Sequence, residues 1–179
     1  MKRILLMMMI MGLLSVGAPT QTLRDVAATS GAPSSNADIS NSPVSAKVLM
    51  GQFSKDIVKA FRAAWYHAAK GSASVEAVVL IIRKADGSCV AVLPEPTRQH
   101  YQFSFNWMPG TIAVIHTHPN DYNPRPAEAD IAIADRFRVP MFTLTSTGMF
   151  LYDPTTKITS RVQDGTDWLI NSKWARYRR

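Results

Sequence analysis

The chain has 179 residues, of which 46% are hydrophobic and 18% charged, and its formal net charge is +7. This length and composition suit one domain with its own hydrophobic core, and they exclude a chain that is mostly disordered. Because Cys89 is the only cysteine, a disulfide within the chain is also excluded. We expect this thiol to be buried as a small apolar side chain.

The N-terminal residues 1–18 have the pattern of a signal peptide. Two basic residues precede an apolar run over 4–14 that is too short to span a membrane, and small residues then suit cleavage after Ala18. We therefore expect an exported protein, periplasmic or secreted, with no stable membrane span after cleavage. Residues 19–47 are rich in Ser, Ala, Asn and Pro, which predicts a flexible linker before a domain over 48–165.

The first part of the domain predicts a helix followed by three strands. Apolar residues recur at three- and four-residue steps over 53–70, which is typical of an amphipathic helix, and Gly71 suits the left-handed position after a helix end. Strands over 77–82 and 89–93 flank an Asp-Gly turn and predict a hairpin. Alternating aromatic residues predict a further half-buried strand over 99–107.

The next stretch carries the most informative motif. The apolar run 112–115 predicts a buried strand and leads directly into His116-Thr117-His118-Pro119. Because side chains two apart on a strand point the same way, His116 and His118 project from one face at its end. Asp130 follows near the start of a helix predicted over 127–137. Two imidazoles and one carboxylate, with a fourth position open, form a ligand set of catalytic zinc.

Each of these residues also has an ordinary interpretation. The two histidines can form a surface pair with no ligand role, and an Asp in a first helical turn often only complements the helix dipole. We interpret His67 and His100 as an ordinary helix histidine and a solvent-facing strand histidine. After the helix, strands are predicted over 141–146, 149–152 and 158–162, followed by a basic aromatic segment over 166–179. Packing of its tryptophans is favoured there over nucleic-acid binding, which we do not expect.

The motif residues resemble those of the JAMM (JAB/MPN-type) zinc metalloprotease family, including JAMM-like domains of unknown function in bacterial secreted and Rhs-type proteins. That family has a Glu, then His-Ser/Thr-His-Pro, then Ser-x-x-Asp. Glu76, the His116 to Pro119 motif, and Ala127-x-x-Asp130 follow the same order, and the resemblance covers about residues 52–161. The sequence departs from the pattern at Ala127, where the family has Ser, and in a spacer one residue longer than usual.

The resemblance implies a fold, a cofactor and a reaction. The fold would be a single α/β (α+β) domain, with a mixed, mostly antiparallel sheet flanked by two main helices, as in JAMM and cytidine-deaminase-like architectures. Zn²⁺ would be held by His116, His118 and Asp130, and Glu76 would act as general base. The implied activity is that of an exported zinc-dependent peptidase or isopeptidase that acts on a peptide or isopeptide-linked substrate.

Several alternatives stay open at this point. Glu95 is a rival for the general base and Glu128 a weaker one, while Asp121 and Asp135 are fallback ligands. Ala127 cannot supply the hydroxyl with which the family Ser stabilises an oxyanion, and Thr117 or Ser146 are candidate substitutes. The alternative function is a catalytically silent JAMM-like module that binds a protein or cell-envelope partner.

Overall fold

The computed structural model describes residues 51, 53–96 and 99–170. Two α-helices lie wholly within these ranges, α1 over Lys55–His67 and α2 over Glu128–Phe137. The strands, in chain order, are β1 Val78–Arg83, β2 Cys89–Val92, β3 Thr111–Thr117, β4 Met141–Thr145, β5 Gly148–Asp153 and β6 Ile158–Asp164. All five predicted hairpin and C-terminal strands, and the buried strand before the histidines, therefore have ends within about two residues of the predicted ones.

The six strands form one mixed sheet in the order β2-β1-β3-β4-β5-β6. Every neighbouring pair is antiparallel except β3 and β4, which are parallel. The parallel pair requires a crossover connection, and α2 lies within it. The predicted α+β fold, with a mixed, mostly antiparallel sheet and two helices, is confirmed; the specific JAMM architecture stays a prediction.

Both faces of the sheet are covered, because its central strands are apolar on both sides. In β1, Val79 and Ile81 face the core that contains α1, whereas Val78 and Leu80 face the core that contains α2. This division follows from the two-residue alternation of a strand. The strand β3 thereby runs between two apolar layers and ends, with its histidines, in a buried environment.

Helix α1 begins where predicted and ends earlier. The side-chain oxygen of Ser54 accepts a hydrogen bond of 3.3 Å from the backbone N–H of Ile57, which caps the first turn. We expected the helix to reach residue 70 with Gly71 as its left-handed end. Instead it stops at His67, and three successive residues have positive φ: Ala69 at 47°, Lys70 at 58° and Gly71 at 76°.

This left-handed turn packs against the loop that follows the histidine motif. The backbone N–H of Asn120 donates to the carbonyl of Gly71 at 2.8 Å, and its side-chain amide donates to the carbonyl of Lys70 at 3.1 Å. A Cβ atom at Gly71 would lie 2.5 Å from the Asn120 side-chain oxygen. The early helix end is therefore explained by a tertiary contact that the sequence pattern does not contain.

The predicted strand over 99–107 is wrong. This segment makes only an isolated bridge, between Val75 and His100, and has no strand pairing beyond it in the described structure. Both edges of β1 are already occupied, by β2 and β3, so the segment lies across the sheet face beside α2. The alternation of burial is nevertheless as predicted, because Phe103 and Phe105 are buried there.

The C-terminal end of the described chain belongs to the same core. A 3-10 helix spans Asp167–Leu169, and the Trp168 ring packs against Phe61 at 6.2 Å between ring centroids, so the domain continues past residue 165. Cys89 is half-buried against this core and forms no disulfide. The predicted signal peptide, the linker and the tail residues 171–179 lie outside the described residues. Within the described ranges, neither helix is long and apolar enough to cross a membrane.

Candidate metal centre

The strand pairing brings Glu76 and the histidine motif together. In the antiparallel pair of β1 and β3, Val78 lies opposite His116, so the chain two residues before Val78 runs beside His118. The backbone N–H of Thr117 donates to the carbonyl of Ala77 at 3.0 Å, which continues the pairing beyond the strand. Glu76 therefore reaches the same end of the sheet from the neighbouring strand.

The crossover between β3 and β4 brings Asp130 to that end as well. Because α2 begins close to where β3 stops, the first turn of the helix faces the histidines. Asp130, Ile133 and Ala134 lie at the three- and four-residue steps of one helix face, and all three are buried. The apolar spacing of the sequence predicts Ile131, Ala134 and Phe137 on this face. Ile131 and Phe137 are only half-buried, because the helix is rotated to turn Asp130 inward.

Three potential ligand atoms converge in this buried space. The Nε2 atoms of His116 and His118 are 2.9 Å apart, and Oδ2 of Asp130 lies 3.2 Å from the first and 3.5 Å from the second. Ligands about 2.0–2.1 Å from a tetrahedral zinc ion are about 3.3 to 3.4 Å from one another. The three side chains are 0–1% exposed, so the spacing fits a small cation shielded from solvent.

Glu76 supplies a second buried carboxylate beside the same imidazoles. One ligand atom from each of Glu76, His116 and His118 can be chosen so that all three lie within 4.8 Å of one another. Glu76 is 1% exposed. The group of Glu76, His116 and His118 can therefore hold a metal ion, and Asp130 lies close enough to share it.

Unsatisfied polar atoms mark the same place. Among the described residues, the buried side-chain nitrogen and oxygen atoms without a hydrogen-bond partner are both carboxylate oxygens of Glu76, Nδ1 of His116 and Oδ1 of Asp130. Buried polar groups in folded proteins nearly always have partners, and buried carboxylates need a compensating charge. A bound cation would supply that charge to Glu76 and Asp130, and the nitrogen and oxygen atoms gathered here are of the kind that hold metal ions.

A hydrogen bond fixes the tautomer of His118. Its Nδ1 lies 2.7 Å from the backbone carbonyl oxygen of Asn123. Because a carbonyl oxygen can only accept, Nδ1 must carry the hydrogen, and in the neutral ring Nε2 is left with its lone pair toward the centre. Metal-binding histidines commonly have such a partner, which orients the ring and raises its basicity.

The start of α2 orients Asp130. The backbone N–H of Ala127 donates to Oδ2 of Asp130 at 2.7 Å, so the carboxylate caps its own helix. Ala127 has the extended conformation of an N-cap residue, with φ −75° and ψ 170°, but its methyl group cannot accept a hydrogen bond in return. The oxygen that faces the two imidazoles is therefore held by the helix backbone.

The charges of the centre move the pKa values of its two carboxylates in opposite directions. Burial raises the pKa of Glu76, an effect that His116 and His118 partly offset and Asp130 reinforces. Burial would also raise the pKa of Asp130, but the adjacent His116 and His118 outweigh it and hold that pKa well below its usual range. Asp130 is thus the carboxylate that stays ionised, whereas Glu76 is the one that readily takes up a proton.

The pKa of His118 is raised. Burial alone would lower it, but the hydrogen bond and charge of Asp130, the charge of Glu76 and the Asn123 carbonyl prevail. Without a metal, the negative charge of the two carboxylates therefore favours protonation of this ring.

Aromatic rings enclose the two histidines. The Phe103 ring packs on His116 with 4.6 Å between centroids, and the Tyr122 ring meets His118 edge-on at 5.1 Å. The pKa of Tyr122 is raised by burial and by the charges of Asp130 and Glu76. The Thr143 hydroxyl donates to the carbonyl of Pro124 at 2.6 Å, which ties the loop over 119–126 to β4.

The sequence predicts some of these neighbours and not others. Because the loop over 120–126 directly follows the histidine motif, the sequence predicts that Tyr122 borders the site. The contact of Phe103 with His116 was not, because alternation predicts that an aromatic is buried but not what it touches. The Asn123 carbonyl has no sequence signature at all, since every residue carries one.

The rival carboxylates lie outside the centre. Glu95 and Glu128 are exposed. Asp121 is exposed and accepts a hydrogen bond from the Tyr101 hydroxyl at 3.3 Å. Asp135 pairs with Lys157 at 2.7 Å and accepts from the Tyr152 hydroxyl at 2.9 Å.

The other candidate side chains have partners elsewhere or face solvent. The Thr117 hydroxyl oxygen accepts a hydrogen bond from the backbone N–H of Ala77 at 3.0 Å. Ser146 is exposed in the turn between β4 and β5, and His67 is exposed on α1. His100 hydrogen-bonds to Ser74. The structure therefore brings together Glu76, His116, His118 and Asp130. The other candidate side chains lie outside this group.

No protein-family model matches this chain, and comparisons with curated proteins and with solved structures find no significant match. The resemblance to the JAMM family consequently stays a prediction from the motif residues. The metal centre, by contrast, rests on the geometry of its own side chains.

Proposed function

We propose that the chain is a JAMM-like, zinc-dependent hydrolase that cleaves amide bonds in peptides or isopeptide-linked conjugates. One observation carries the proposal: two imidazole nitrogens and a carboxylate oxygen converge within 2.9 to 3.5 Å of one another, with a second buried carboxylate beside them. Three ligands, an open position and an adjacent base are the parts of a hydrolytic zinc site.

In this proposal His116, His118 and Asp130 hold the metal and Glu76 does not. Asp130 suits the ligand role because its lowered pKa keeps it ionised and its Oδ2 lies near both Nε2 atoms. Bound zinc supplies the remaining chemistry, since it lowers the pKa of a coordinated water to about 7 and polarises a carbonyl group.

Glu76 is the proposed general base. Its raised pKa brings the carboxylate nearer to neutral pH, where it can both accept and return a proton. It takes a proton from the attacking water and then gives one to the departing amine.

The proposed substrates follow from the predicted location. An N-terminal signal peptide would export the domain, so its substrate would be a peptide or conjugate outside the cytoplasm. Peptides of the cell envelope are the class that such an enzyme would meet first.

A second candidate function is a silent JAMM-like module that binds a partner. The observation that favours it is Ala127, because this residue has no hydroxyl at the position where the related pattern has Ser. Loss of one oxyanion donor typically lowers the rate by about 10² to 10³. A binding module would tolerate that loss, whereas an enzyme needs another donor.

Metal content tests the site. The purified chain should carry about one zinc per molecule by plasma mass spectrometry, and His116→Ala and Asp130→Ala should carry little. His67→Ala is the matched control, since this histidine is exposed on α1 and should leave the zinc unchanged. Equal metal in all four folded proteins, or none in any, would contradict the proposed centre.

Activity then separates the two candidate functions. A panel of peptide and isopeptide substrates is incubated with the zinc-loaded chain and with Glu76→Gln. Hydrolysis that is lost in this variant while zinc is retained supports the enzyme. A zinc-loaded chain that cleaves nothing in the panel supports the binding module.

A further inference from the structure

The proposed hydrolysis needs a hydrogen-bond donor for the negative oxygen of the transition state, and the nearby hydroxyls are mostly committed. Ala127 has none. The Thr117 hydroxyl accepts a hydrogen bond from the backbone N–H of Ala77, and strand alternation turns this side chain to the face of β3 opposite that of His116. The Thr143 hydroxyl donates to the carbonyl of Pro124. Ser146 is exposed in a turn beyond β4. Another side chain that borders the histidines can supply this donor.

Two contacts hold Tyr122 beside the candidate metal centre. Its ring meets the His118 ring edge-on, with 5.1 Å between centroids and an interplanar angle of 76°. Its backbone N–H donates to the carbonyl of Pro119 at 3.1 Å, which fixes the turn just after the histidine motif. The residue is half-buried, so part of its surface is accessible to solvent.

The hydroxyl of Tyr122 is also uncommitted. It makes no hydrogen bond with any residue that the structure describes, whereas the neighbouring Tyr101 donates its hydroxyl hydrogen to Asp121 at 3.3 Å. The two rings lie 6.3 Å apart and form one aromatic border beside His118. A phenol is protonated at neutral pH and is a good donor to an anionic oxygen.

We propose that Tyr122 is the oxyanion donor of this site, in place of the hydroxyl that Ala127 lacks. This inference rests on the proposed hydrolase function. The water oxygen bonds to the carbonyl carbon, and the π electrons of that carbonyl move onto its oxygen. Tyr122 donates a hydrogen bond to this oxygen and keeps its own proton. When the oxygen's electron pair re-forms the carbonyl, the C–N bond breaks and the amine leaves with the proton that Glu76 returns.

The test measures ligand binding to the cobalt-loaded chain, because the visible absorption of Co²⁺ responds to its ligands. Methylphosphonate presents a tetrahedral anionic oxygen, whereas 2-mercaptoethanol binds the metal through sulfur and accepts hydrogen bonds weakly. Tyr122→Phe should weaken methylphosphonate binding about 10- to 100-fold, as for loss of a hydrogen bond to a charged group. Its affinity for 2-mercaptoethanol should not change.

Tyr101→Phe is the matched control, since it removes a hydroxyl from the other ring of the border. It should leave both affinities unchanged. Unchanged methylphosphonate affinity in Tyr122→Phe would overturn the inference while the metal centre stands. Equal weakening of both probes would overturn it too, because the ring would then only support His118. A chain that takes up no cobalt would overturn the proposed function and this inference together.

Discussion

The backbone N–H of Ala127 donates a 2.7 Å hydrogen bond to Oδ2 of Asp130, the same oxygen that lies 3.2 Å from Nε2 of His116. One carboxylate oxygen thus both caps α2 and faces the imidazoles. The start of the helix and the geometry of the candidate metal centre are therefore coupled. A change at the N-cap should be felt at the centre, and metal binding should stabilise the first turn.

Replacing Ala127 by Ser should stabilise the protein. Its extended backbone already suits an N-cap, so a serine hydroxyl can accept the hydrogen bond that the methyl group cannot, with a gain of about 1 kcal/mol. Urea denaturation of the metal-free protein measures this gain. Ala129→Ser is the matched control, because it places the same hydroxyl inside the helix, where Ser is less favourable than Ala. Equal effects of the two changes would contradict the N-cap explanation.

Replacing Glu76 by Gln should stabilise the metal-free protein at neutral pH while it abolishes the proposed hydrolysis. The pKa of Glu76 is raised from 4.5, chiefly by burial, so the folded chain binds this proton more tightly than the unfolded chain. The associated stability is complete below about pH 4.5 and declines as the pH rises through the raised pKa. Gln cannot ionise, so the variant should not show this decline in stability.

Thermal unfolding of chelator-treated protein between pH 4 and 8 measures the effect. The native protein should lose more stability toward pH 8 than Glu76→Gln does. Glu95→Gln is the control, because that carboxylate is exposed and should not change the pH profile. Parallel profiles for the native protein and Glu76→Gln would mean that burial of this carboxylate does not destabilise the fold.

The sequence predicts the parts of this site that follow from local periodicity. His116 and His118 share a face because residues two apart on a strand do so. The position of Asp130 at the start of the helix that follows them predicts its proximity, but not the helix rotation that buries it. The strands of the sheet are predicted because apolar runs between turn residues indicate buried strands. The register of β1 with β3 places Glu76 beside the histidines. The sequence predicts this only in part, because Glu76 stands at the head of the first predicted strand.

The predictions that fail are those that depend on tertiary contacts. Periodicity over 99–107 records that Phe103 and Phe105 are buried, but not that both edges of β1 are already taken and that the segment must cross the sheet face. The end of α1 depends on Asn120, which is remote in sequence. Information of this kind lies in contacts between distant segments and not in any local pattern.

Replacing Gly71 by Ala tests whether the turn after α1 supports the loop that follows the histidine motif. Gly71 has φ +76°, and an added Cβ would lie 2.5 Å from the Asn120 side-chain oxygen. Because Asn120 follows His118 by two residues, its displacement should lower zinc affinity as well as stability. Gly87→Ala is a close control: its φ is +81°, and its added Cβ meets nothing within 4 Å.

Both alanine variants carry the backbone strain of a left-handed residue, which is about 1 to 2 kcal/mol. Gly71→Ala should be less stable than Gly87→Ala by a further 1 kcal/mol or so, as is typical of overpacking. Its zinc affinity, measured by competition with a chromophoric chelator, should also be lower, whereas that of Gly87→Ala should be native. Similar zinc affinities would show that the loop tolerates loss of this contact.

Replacing Thr143 by Val tests how β4 holds the loop that carries the His118 partner. The Thr143 hydroxyl donates to the carbonyl of Pro124 at 2.6 Å, next to the Asn123 carbonyl that accepts from His118 Nδ1 at 2.7 Å. Thr143 lies opposite His116 in the sheet and does not itself serve as a ligand. Val keeps the shape of the side chain and leaves the Pro124 carbonyl without this donor, so the carbonyl that orients His118 is held less firmly. Loss of such indirect support typically lowers metal affinity about 10- to 100-fold.

Thr145→Val separates this effect from a general loss of stability. Thr145 is buried on the same strand, but its hydroxyl bonds within the β4–β5 turn, to Thr147 and to the carbonyl of Gly148. Both variants should lose about 1 to 3 kcal/mol of stability in urea denaturation. Only Thr143→Val should bind zinc more weakly in the same chelator competition. If the two variants bind zinc equally well, the loop is positioned by its own turn and by the Asn120 contact, and β4 contributes stability alone.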